Sequence, residues 1–183
     1  MALPKLNTPT YELELPSTDE KIKYRPFLVK EQKILLMAQE SGEDKEIASA
    51  MSQLVSSCTF GKVDAKTAPM FDLEYVFLKI RGKSVGEKVQ LNLLCPDDGE
   101  TTVPVELNLE DIGVQMLENH SNEININENC KITFRYPILN DMSGMSANSS
   151  AVENVFHFLI NCLIKINYGD DEYNRVDLTD KDI

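Results

Sequence analysis

One run of twelve residues, Met70-Phe71-Asp72-Leu73-Glu74-Tyr75-Val76-Phe77-Leu78-Lys79-Ile80-Arg81, constrains the fold of this chain more than any other. On a helix of 3.6 residues per turn, Met70, Leu73, Phe77 and Ile80 face one way while Phe71, Tyr75 and Leu78 face another. A helix of that pattern needs neighbours on two sides, so it belongs in the middle of a packed domain. Pro69 suits its first turn, and Gly82 and Gly86 suit its end.

The segments around it read by the same periodicities. Tyr11 to Leu15 alternates apolar and acidic residues, Pro16-Ser17-Thr18-Asp19 breaks the alternation, and Ile22-Lys23-Tyr24 resumes it, which predicts a β-hairpin. Pro26 stops the second strand. From Phe27 to Glu40, Val29, Lys33, Leu36 and Met37 recur at helical spacing, and after Ser41-Gly42 a second helix is expected with Ile47, Met51, Leu54 and Val55 as its stripe. Val89 to Leu93 alternates again, the turn Pro96-Asp97-Asp98-Gly99 follows, and Thr101 to Leu109 supplies a return strand. Residues 110 to 129 have no clear type beyond the alternation Ile124-Asn125-Ile126. Lys131 to Tyr136 is a strand stopped by Pro137, Met142 to Ser150 reads as a loop, and Ala151 to Asn167 as a long helix, again apolar on two sides.

The fold class is therefore α+β, with β-hairpins packed around apolar helices. Residues 1–10 form an extended arm, and 11–168 form one α+β domain with a subdivision near 58–68 left open. Residues 169–183 read as the acidic start of a C-terminal segment cut short at Ile183, because Thr179 has the pattern of a helix cap with Asp182 three positions on. No repeat of solenoid length is visible, and the hairpins at 11–24 and 89–109 share nothing beyond alternation.

Charge narrows the partners. Thirty acids against eighteen bases give −12, which opposes binding to a phosphate backbone or an anionic lipid surface. Between Lys88 and Lys131 there are nine carboxylates and no Lys or Arg. Asp97, Asp98, Glu100, Glu106, Glu110 and Asp111 are thus candidates for an acidic face that docks a basic partner, against the plainer reading of a solvated surface. No apolar run is long and uninterrupted enough for a membrane span, and the N-terminus lacks the pattern of a signal peptide.

No catalytic motif stands out. Cys58, Cys95, Cys130 and Cys162 are widely spaced, which fits free thiols in a reducing compartment. Cys95-Pro96-Asp97-Asp98-Gly99 is shaped like half of a zinc knuckle but lacks the second thiolate, so a plain β-turn is favoured. His157, between Phe156 and Phe158, reads as a hydrogen-bonded structural residue; His120 sits in a polar loop. Gly82-Lys83-Ser84 follows a helix and precedes a strand, the reverse of a phosphate-binding loop. No cofactor, metal or small-molecule substrate is expected.

Three segments resemble a known family. Tyr24 to Ala38, Pro69 to Glu87 with its Phe71-Asp72-x-Glu74-Tyr75 core and the following Lys83-Ser84-x-Gly86-Glu87, and Ile132 to Pro137 are similar, in order and spacing, to the baseplate hub subunit and hub-assembly proteins of T-even-like contractile-tailed bacteriophages. The resemblance implies a non-enzymatic component of the central hub, or a transient assembly factor. Its partners would be other hub proteins, in the host cytoplasm during assembly and in the tail baseplate if incorporated. With this role, Phe71, Tyr75, Phe77, Phe156 and Phe158 are expected to divide between the domain core and a partner surface.

Overall fold

The computed structural model describes residues 8–142 and 150–179. It is an α+β protein with antiparallel sheets. Its contacts separate into two compact units, Met1–Val114 and Gln115–Ile183. By its contacts the chain divides at 114/115. The expected loop over 142 to 150 and the end of the chain from 180 lie, apart from their margins, outside the described residues.

In the first unit, strands β1 (Tyr11–Glu14) and β2 (Lys21–Tyr24) form the predicted hairpin. Its inward residues Leu13, Ile22 and Tyr24 are buried. Three helices follow: α1 (Val29–Ser41), α2 (Asp44–Cys58) and α3 (Met70–Val85). The core lies among them, with Leu54 and Val55 of α2 and Leu73, Val76 and Ile80 of α3 almost or wholly inaccessible.

Two helix faces differ from expectation. On α1 the stripe Val29, Lys33, Leu36 and Met37 is exposed, Val29 at 81%, while Glu31 and Ala38 are buried. An acid goes inside because it has bonds to make there, which apolar periodicity does not register. Glu31 Oε1 accepts from Arg25 at 3.0 Å, and Oε2 accepts the Leu28 N–H at 2.7 Å, closing the first turn of the helix. On α3 the buried line is Asp72, Leu73, Val76, Lys79 and Ile80. Lys79 lays its stem along the core and sends Nζ to the carbonyls of Leu109 and Glu110, at 3.1 and 2.9 Å. Both Asp72 oxygens accept from Ser17, one from its backbone N–H at 3.1 Å and one from its hydroxyl.

Burial raises the pKa of Asp72, and the Ser17 bonds oppose that shift without cancelling it. A carboxyl whose folded pKa is raised contributes stability that is complete below its unfolded pKa and is lost as pH rises through the folded value. Asp72→Asn keeps an acceptor for the Ser17 N–H and has no such titration. Comparison of urea midpoints between pH 3 and 7 should therefore show the wild type losing ground to the variant as pH rises; a difference independent of pH would refute this.

Strands β3 (Lys88–Leu94) and β4 (Thr102–Asn108) form the second predicted hairpin. They pack essentially on each other. Leu109 N donates to Glu87 O at the base and Cys95 N to Thr101 O at the tip, so odd-numbered residues of β3 occupy the hydrogen-bonded pairs. Pro104, opposite Asn92, falls at a non-bonded pair, where its missing N–H faces the outer edge and costs the ladder nothing.

The second unit is a four-stranded sheet in the order β5 (Glu123–Asn127), β6 (Cys130–Phe134), β7 (Leu163–Tyr168), β8 (Asp171–Asn174), with α4 (Ala151–Cys162) between β6 and β7. The ambiguous stretch after 110 thus contains a strand at its Ile124-Asn125-Ile126 alternation. The long helix expected over Ala151 to Asn167 ends at Cys162. Beyond it, Ile164-Lys165-Ile166-Asn167 has period two, and pairing with β6 and β8 on either side satisfies its backbone in a way a helix cannot. β8 places 171–174 in this sheet.

Candidate docking surfaces

The five aromatic candidates do not act alike. Phe71, Tyr75 and Phe77 are half-buried along the flanks of α3, and none is enclosed. Tyr75 has the Lys79 ammonium over its ring at 5.2 Å, and burial together with Glu110 and Glu14 pushes its hydroxyl pKa up. Phe158 is half-buried on α4, whereas Phe156 is 61% exposed.

Phe156 is one of a set. Val152, Val155 and Leu159 are 63%, 56% and 43% exposed, and with Phe156 they occupy positions i, i+3, i+4 and i+7 of α4. One apolar stripe of a well-formed helix therefore faces water. Its N-terminus is fixed by a capping box, in which Ser150 Oγ accepts the Glu153 N–H at 3.1 Å and Glu153 accepts the Ser150 N–H at 2.8 Å. Asn154, Phe158 and Ile160 are half-buried, and Cys162 is buried. An open groove of about 350 Å³ runs between α4 and Arg175, lined by Val152, Phe156, His157 and Ile160 among others. His157 is exposed where partial burial is expected, and it has the expected hydrogen bond, its Nε2 lying 3.2 Å from Asn161 Nδ2. His120 is exposed, as a polar loop predicts, and stacks on Tyr136 at 5.5 Å.

The acidic candidates are spread over the β3–β4 ribbon and the segment after it, and several already have work in the fold. Asp98 ties the turn by accepting from the N–H groups of Glu100 and Thr101 and from the Thr101 hydroxyl, which draws its pKa down to about 2. Glu106 pairs with Lys88 at 2.7 Å. Glu110 meets Lys83 at 3.0 Å and Lys79 at 3.9 Å. Asp97, Glu100 and Asp111 are exposed and have no ion pair among the described residues. On the ribbon's other face, Val89, Leu91 and Leu93 stand opposite Leu107, Val105 and Val103. Cys95 lies in the turn, and among the described residues no group of three His, Cys, Asp or Glu is placed to hold a metal ion. No helix among them is long and apolar enough to cross a membrane.

One arrangement that periodicity misses occurs in both units. After β2, Arg25 donates its N–H to the carbonyl of Cys58, the last residue of α2, at 2.9 Å. Its guanidinium bonds Pro26 O and Glu31 Oε1, each at 3.0 Å, and Leu28 N–H caps the other carboxylate oxygen. After β6, Arg135 donates its N–H to the carbonyl of Cys162, the last residue of α4, at 2.9 Å. Its guanidinium bonds Tyr136 O at 3.1 Å and grips Asp141 at 2.6 and 2.8 Å, while the Ile138 N–H donates to Asp141 at 2.8 Å. The trace in sequence is Lys21-Ile22-Lys23-Tyr24-Arg25 beside Lys131-Ile132-Thr133-Phe134-Arg135. The hairpins that correspond are β1–β2 and β5–β6, so a comparison of 11–24 with 89–109 finds no kinship.

No curated protein and no solved structure matches the chain. The sequence model of the T4 bacteriophage base plate protein family does, over residues 8–183. That span takes in all three segments on which the phage resemblance rests, together with both Arg-anchored hairpins, and the chain belongs to the T4 bacteriophage base plate protein family.

Proposed function

We propose that this base plate protein is a non-enzymatic component of the central hub, or takes part in building it, and that it acts through contacts with other hub proteins. The outward apolar stripe of α4 carries the reading. Covering a side chain of this size is worth about 1.5–3 kcal/mol, so four on one face offer several kcal/mol before association costs are met. The charge of −12 favours protein partners over nucleic acid or anionic membrane, and no small-molecule substrate is invoked.

Quantitative mass spectrometry of purified particles tests the role. A fixed copy number per tail is the expected result and supports a hub subunit present in the virion. Absence from the particle, with presence in assembly intermediates from the host cytoplasm, would move the protein to the transient assembly factors. Absence from both would sink the proposal.

A further inference from the structure

The repeated Arg anchor allows α2 and α4 to be aligned from their terminal cysteines. Counting back ten, seven, six and three residues gives Ala48, Met51, Ser52 and Val55 on α2, and Val152, Val155, Phe156 and Leu159 on α4. On α2 this face is half-buried at its first three positions and fully buried at Val55. α2 packs against two helices, α1 and α3. Its α1 side is lined by Ala50, Gln53, Leu54 and Ser57. Ala48, Met51, Ser52 and Val55 lie on the opposite side of the helix, and α3 is the other helix packed on α2.

In the second unit α4 packs on the 3₁₀ turn Leu139–Met142, and no described helix takes the place that α3 has in the first. Yet its four residues are on balance larger and more apolar than those on α2. Evolving solvent contact would favour the reverse. Phe27, whose N–H is held by Ser84 of α3 at 2.9 Å, corresponds to Pro137, which has no N–H to leave unsatisfied when that helix is missing.

We infer that α4 receives an apolar α-helix from a partner protein, seated on Val152, Val155, Phe156 and Leu159 as α3 is seated on α2. The docking is of the helix-in-groove kind, and the incoming helix presents aliphatic residues at the spacing of Leu73, Val76 and Ile80. A second copy of this chain is disfavoured as the occupant because each copy carries −12. The inference rests on the protein-contact role proposed above for the source of the helix. The correspondence of the two units stands by itself.

The test uses the full chain, labelled with ¹⁵N, and a synthetic blocked peptide of residues 68–86 as the probe helix. Saturable shifts confined to the amides of 151–162 are expected. The double variant Phe156→Ser/Leu159→Ser should weaken binding at least tenfold with an unchanged circular dichroism spectrum, and Phe156→Leu should restore most of it. Absent shifts at α4, equal binding by the double variant, or shifts in 44–58 instead would overturn the proposal. So would sedimentation showing a wild-type dimer that Phe156→Ser dissolves, since the occupant would then be a second copy. A protein found in particles at fixed copy number that fails the peptide titration loses this docking site and keeps its place as a structural component.

Discussion

Glu31→Ala is expected to destabilise the first unit by about 3–5 kcal/mol, the penalty for stranding one member of a buried ion pair. Arg25 is 9% exposed and Glu31 5%, so water cannot take over the guanidinium when the carboxylate is removed. The variant also frees the Leu28 N–H at the start of α1 and one bond to Ser57, whose hydroxyl lies 3.2 Å from Glu31 Oε1. Urea unfolding followed by far-ultraviolet circular dichroism measures the loss. Arg25→Met/Glu31→Leu should recover much of it, because an apolar pair leaves no charge unmatched. Were the double variant as unstable as the single one, the hydrogen bonds and not the charges would be holding the corner.

The same pair sets a pH dependence. Burial alone would raise the pKa of Glu31, but the Arg25 hydrogen bond, the Leu28 N–H and the charges of Arg25 and Lys30 outweigh it and hold the carboxyl below its usual range. A depressed folded pKa means stability that is present above the unfolded value, near 4.3 for Glu, and lost as pH falls through the folded one. The gap between wild type and Glu31→Ala should accordingly be full at pH 7 and narrow in acid. Asp141 behaves alike in the second unit, held down first by Arg135 against the opposing effect of burial.

Leu73→Ala should cost about 3 kcal/mol, while Leu159→Ala, the same change in volume, should shift stability by less than about 0.5 kcal/mol. Leu73 is wholly enclosed in α3, so its loss opens a cavity. Leu159 is 43% exposed, and its loss is met by water. Chemical denaturation monitored at each unit distinguishes the two. A large loss at Leu159 would mean that the α4 stripe supports the fold of the free protein, and the docking surface would have to be sought elsewhere.

The pattern of what could be read in advance follows from what periodicity measures. Alternation located β1 and β2 because that hairpin turns one face inward, and β3 and β4 because their aliphatic residues pair across the ribbon although most stay exposed; the stripe of α2 was legible at Leu54 and Val55 because that face is buried. It failed on α1, where the interior residue is the charged Glu31, and on α3, where Asp72 and Lys79 are drawn inside by Ser17 and by two carbonyls far along the chain. It failed again after Cys162, because Leu163 to Ile166 is as apolar as the helix before it and only its strand partners decide its conformation. On α4, spacing groups Val152, Val155 and Leu159 with Phe156 on one face but does not say which way that face turns. Distinguishing an inward stripe from an outward one requires knowing what covers it, which amino-acid order alone does not state.

Pro104 has a consequence for solubility. A lone two-stranded ribbon with an aliphatic face invites stacking of strand upon strand into fibrils. Here the outer margin of β4 is capped by an imino acid that cannot donate, so growth is barred in that direction. Among the described residues the other margin, that of β3, is unpaired.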